Sequence, residues 1–120
     1  MNKVEKYIPK ALEAVKEKIA SKDGKVAKEY NGYISSFGAS IRQAGILPTV
    51  LFFENRNAGS QEDRSKVLRA IEYILDIGEG QIKDVALKKK KDIEAAAVAL
   101  KLALRTFKLE GQEKNEQRQK

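Results

Sequence analysis

Apolar residues recur at spacings of three and four along almost the whole chain. That period predicts helices, each burying one face. Between residues 2 and 21 they fall at Val4, Tyr7, Ile8, Ala11, Leu12, Val15 and Ile19. Pro9 lies inside this stripe, where it either kinks the helix or opens a helix that starts later. Lys22, Asp23 and Gly24 read as a stop and turn. A second helix is expected from about Val26 to Ala44, with Val26, Tyr30, Tyr33, Ile34, Phe37 and Ile41 on its apolar side and Gly45 as its cap.

Gly32 and Gly38 interrupt that helix. Each is unfavourable by about 1 kcal/mol against alanine. The usual compensation is close approach of another helix or of a ligand backbone, here the segment Ile46 to Phe53. That segment is β-branched and aromatic, but no second strand is evident to pair with it. With Pro48 suited to a first turn, it is expected to be a short buried helix.

Ser60 and Asp63 resemble a capping box ahead of a fourth helix carrying Val67, Leu68, Ile71, Ile74 and Leu75. Ile77 to Gly80 should break it. A last helical stretch is expected from about Ile82 to Leu109, split near Lys88 to Asp92. Its core side is Ile93, Ala97, Leu100, Leu104 and Phe107. The expectation is an all-α single domain, a compact bundle of five to six helices over residues 1–110, with a disordered polar tail over 111–120.

Composition narrows the chemistry. The 120 residues include no Cys, His or Trp. Disulfides, thiolate or imidazole metal sites and any cysteine or Ser-His-Asp nucleophile from this chain alone are excluded. Glu62, Asp63, Glu72, Asp76 and Glu79 are read as cap and surface residues rather than metal ligands, and no cofactor is expected. Gly78-Glu79-Gly80 lacks the residues that complete a P-loop. Tyr30, Tyr33 and Tyr73 are read as core aromatics with hydroxyls at the surface. With no apolar leader and no membrane-length run, the expected setting is the cytoplasm.

The net charge is +7, from 24 basic and 17 acidic residues. It is unevenly placed. Up to Ile82 there are 13 basic and 11 acidic residues, and from Lys83 to Leu109 there are 8 and 3. The excess comes from the run Lys88, Lys89, Lys90 and Lys91, and from Lys101, Arg105 and Lys108, which share one face if the helix continues. Arg42, Arg56, Arg64 and Arg69 extend this surface if the bundle brings them round. A solvated face is the plain alternative, and phosphate binding the functional one. No helix-turn-helix, zinc finger or aromatic RNA-binding motif is present.

The stretch YNGYISSFGASIRQAGILPTVLFF resembles the signature region of the small α-helical subunit of the Cmr complex, the type III-B CRISPR RNA-guided effector. The matching residues are Phe37, Gly38, Ile41, Gly45, Leu47 and Phe52. ALKLALRTFKLEG is similar to the closing helix of that family, with Lys101, Arg105 and Phe107 as counterparts and the family's Trp missing. The resemblance implies a non-catalytic structural subunit. It would stack head to tail with copies of itself along larger subunits and contact guide and target RNA, with Lys88 to Lys91, Lys101, Arg105, Lys108, Arg42 and Arg56 as candidate contacts. An unrelated basic helical adaptor for DNA or an acidic protein is the alternative.

Overall fold

The structure is a computed structural model, described over residues 2–55, 62–107 and 109–110, the last two as backbone. Helix α1 (Lys3–Ala14) begins where the Asn2 side chain accepts the Glu5 N–H at 2.8 Å, one of the first-turn donors a helix leaves open. Pro9 is therefore interior to α1, on its exposed side. The chain then widens into a π turn, Val15–Ile19, closed by the Ala20 N–H on the Val15 carbonyl.

The second helix starts later than its period suggests. Val26–Ala27 form a two-residue strand, β1, and α2 runs Glu29–Ala44. The partner of β1 is β2 (Leu109–Glu110), in parallel, with Val26 opposite Leu109. This pairing sets the chain entering α2 beside the chain leaving the last helix. Gly45 reverses the chain at φ 97°, a conformation other residues rarely adopt.

Helix α3 (Ile46–Glu54) has Pro48 in its first turn. Its buried Thr49 hydroxyl donates to the Gly45 carbonyl at 2.8 Å and lies 2.7 Å from the Ser40 hydroxyl, tying α3 to α2. The helix is not buried all round: Leu51 and Phe52 are 54% and 53% exposed.

Helix α4 (Ser65–Leu75) opens on Asp63, whose carboxylate accepts the Ser65 N–H at 2.9 Å. The expected box partner Ser60 lies outside the described residues. Asp76 ends α4 in a left-handed conformation, φ 58°. The final stretch divides into α5 (Ile82–Val85) and α6 (Lys90–Leu104). The last helix thus stops at Leu104, short of the expected Leu109.

The six α-helices among the described residues form an all-α single domain. Helix α1 packs most closely on α6 and also on α4, while α2 packs on α3 and α6. Ala11 and Ala14 of α1 and Ala96, Ala99 and Ala103 of α6 are all buried, and small side chains let helix axes come close. Around them the core contains Val15, Tyr30, Phe37, Leu68, Ile71, Ile82, Ile93, Leu100 and Leu104. Phe37 meets Phe53 edge to face at 5.1 Å. Full burial of such a side chain stabilises by about 1.5–3 kcal/mol. Residues 111–120, expected to form a polar tail, lie outside the described residues.

Candidate nucleic-acid interface

The basic residues divide between the two ends of α6. Lys88 and Lys89 precede its first turn, Lys90 and Lys91 lie within it, and all four are exposed. Among the described residues, no carboxylate forms an ion pair with any of them. The nearby Asp92 is held at 2.7 Å by Lys3, and that hydrogen bond lowers its carboxyl from the ordinary value. A helix N-terminus already carries about half a positive charge, so four lysines there are electrostatically unfavourable to the helix itself.

The other end is different. Lys101 is in the last turn of α6 and Arg105 is its C-cap. Cations there complement the helix dipole and have an ordinary structural reason. Helix α6 ends at Leu104, and Lys108, expected on the same face, lies outside the described residues. Arg56 also lies outside them. The charge that folding does not explain is therefore the Lys88 to Lys91 run.

Arg42 and Lys101, far apart in sequence, are brought together. Both line a groove between α2 and α6, with Ile34, Gly38, Glu94 and Val98 among its walls. Arg64 and Arg69 do not join this surface. Arg64 is buried, its guanidinium 4.4 Å from the centre of the Phe52 ring. Arg69 is held by Glu54 at 2.7 Å and by Glu72 at 2.9 Å.

Several readings from residue type change here. Glu72, expected at the surface, is 2% exposed and accepts the Ile82 N–H at 3.1 Å. The Tyr30 and Tyr33 hydroxyls donate to the Asp63 and Glu62 carbonyls at 3.1 and 3.2 Å, pinning the approach to α4 rather than facing water. Gly32 and Gly38 do not admit a neighbouring helix. Beyond its own helix backbone, a Cβ at Gly32 would meet nothing within 4 Å among the described residues, and one at Gly38 only the Arg42 guanidinium at 3.9 Å.

Sequence reasoning missed the apolar residues on the outer side of α6, Val98 and Leu102, which are 48% and 37% exposed. The signal was present. From Ala95 to Leu104 the helix is apolar on more than the one face its core needs, and such a helix has more than one neighbour.

The family model described as CRISPR-associated protein (Cas_Cmr5) matches residues 4–108. No curated protein matches the chain, and no solved structure does.

Proposed function

The chain belongs to the Cas_Cmr5 family of CRISPR-associated proteins, a Cmr subunit family, and from that membership we propose that it is a non-catalytic, RNA-contacting subunit of a cytoplasmic type III-B effector. In this reading it stacks along the larger subunits, and the groups that cut RNA belong to other chains. The chain contributes no Cys or His to such chemistry.

One observation carries the RNA contact. Lys88 to Lys91 sit at the positive end of α6, exposed and in no carboxylate ion pair among the described residues, with Asp92 the nearby carboxylate that Lys89 influences. An anion from outside the chain would relieve that crowding. RNA phosphates do so while releasing counterions, which makes the affinity salt-dependent.

The test is a titration of the purified chain with single-stranded RNA at several salt concentrations. Replacing all four lysines by alanine should weaken binding and flatten the slope of log affinity against log salt by about 0.7 for each phosphate no longer neutralised. Affinity and slope equal to those of the unaltered chain would overturn the reading.

A further inference from the structure

Gly38 is a helix-interior glycine with no internal reason. It lies midway along α2, where glycine is unfavourable by about 1 kcal/mol. Among the described residues no other element's backbone approaches it, and beyond its own helix backbone a Cβ would touch only the Arg42 guanidinium, at 3.9 Å. The space its missing side chain leaves belongs to the α2–α6 groove. The groove has two cations, Arg42 and Lys101, one carboxylate, Glu94, and apolar walls including Ile34 and the half-exposed Val98. Among the described residues, neither Arg42 nor Lys101 is in an ion pair.

We propose that this groove docks an acidic segment of another protein subunit, with an apolar side chain over Gly38 and carboxylates on Arg42 and Lys101. It rests on membership of a multi-subunit complex and is independent of where RNA binds. Three features favour protein over RNA here. Apolar walls reward burial of an apolar side chain and offer a phosphate nothing. Glu94 repels a phosphate backbone but accepts a hydrogen bond from a peptide N–H or a lysine. The two cations supply the complementary charge that fixes register in protein interfaces. Arg42 and Lys101 are thereby separated in role from Lys88 to Lys91.

The test uses the complex as it assembles. The chain is co-expressed with the other subunits of the proposed effector, with the photo-crosslinking residue benzoylphenylalanine replacing Val98. The complex is purified and irradiated, and the adducts are sequenced by mass spectrometry. The expected adduct is a peptide of a different subunit that places Asp or Glu beside an apolar residue. An adduct to RNA, an adduct to a second copy of this chain, or no adduct overturns the proposal.

Two variants provide a second arm. Gly38→Leu fills the groove and Lys101→Glu reverses its charge. Each should lower recovery of the chain in the complex at least tenfold, while replacing Lys88 to Lys91 by alanine leaves groove docking intact. Where Gly38→Leu also lowers the melting temperature, Lys101→Glu decides, because its side chain is only part-buried. Full recovery of Lys101→Glu overturns the proposal. Loss of RNA affinity in the lysine-run variant tests the RNA reading separately, so the two can fail independently.

Discussion

The Glu72 carboxylate lies inside the core and accepts the backbone N–H of Ile82 at 3.1 Å. It thereby closes the turn from α4 to α5. Its other oxygen is 2.9 Å from Arg69 Nε, and Arg69 also reaches Glu54 at 2.7 Å. One ionic chain, buried at Glu72 and part-buried at Arg69 and Glu54, thus joins α3, α4 and the start of α5.

Glu72 should make stability depend on pH. Burial raises its carboxyl above the ordinary value of 4.5, outweighing the Ile82 N–H and the Arg69 charge that lower it. The folded state therefore holds the proton to higher pH than the unfolded state does. Its contribution is most favourable below pH 4.5, falls as pH rises through the folded value, and is level above it. Glu72→Gln keeps an acceptor oxygen for Ile82 and carries no charge. Urea unfolding at a series of pH values should show the variant gaining on the parent as pH rises, and a constant difference would refute this. Glu72→Leu removes the acceptor and leaves the buried Ile82 N–H unpaired, while Arg69 keeps Glu54; it should destabilise by about 1–3 kcal/mol at neutral pH.

Tyr30→Phe deletes one hydroxyl without changing the ring. The Asp63 carbonyl loses its donor at 3.1 Å, while the edge-to-face contact with Tyr33 at 5.5 Å remains. The expected loss is about 1 kcal/mol in denaturant unfolding, with an unchanged m-value. An unaltered midpoint would mean that the hydroxyl does not anchor the approach to α4.

Gly32→Ala should stabilise the protein. The position is interior to α2 and exposed, and among the described residues nothing outside its own helix backbone lies within 4 Å of the added carbon. The gain is about 0.5–1 kcal/mol from helix propensity and the reduced freedom of the unfolded chain. A lower melting temperature would show that the glycine is needed for packing after all.

Lys90→Glu should move stability and RNA affinity in opposite directions. A carboxylate in the first turn of α6 complements the dipole and should stabilise by about 0.3–1 kcal/mol at low salt. The same change sets a negative charge where a phosphate is proposed to bind. Thermal melting and RNA titration of this one variant check both signs. Affinity that rises together with stability would argue against RNA contact at this end of the helix.

The apolar spacing of three and four was enough to identify α1, α2, α4 and α6 and most of their buried residues. Pro48 and the lack of a partner strand were enough to make α3 a helix. These follow from the sequence because helix period and first-turn proline are local geometry, set within a few residues. The limits of α2 and α6 were not legible, because Val26 and Ala27 leave the helical pattern to pair with Leu109 and Glu110. Glu72 was assigned by residue type to the surface. It is buried because the chain folds back at Asp76 and supplies it with the Ile82 N–H.

For the candidate site, the sequence located the excess charge on the last helical stretch, but not what each charge does there. The end of a helix on which a cation falls decides whether it supports the helix or opposes it. Only the observed limits of α6 showed that Lys88 to Lys91 oppose it while Lys101 and Arg105 support it. The sequence by itself determined the helices, the core faces and the absence of thiol or imidazole chemistry. The tertiary structure decided which polar groups are buried, which glycines face open space and which cations share a groove. Those properties depend on residues brought together from distant parts of the chain, and no local period encodes them.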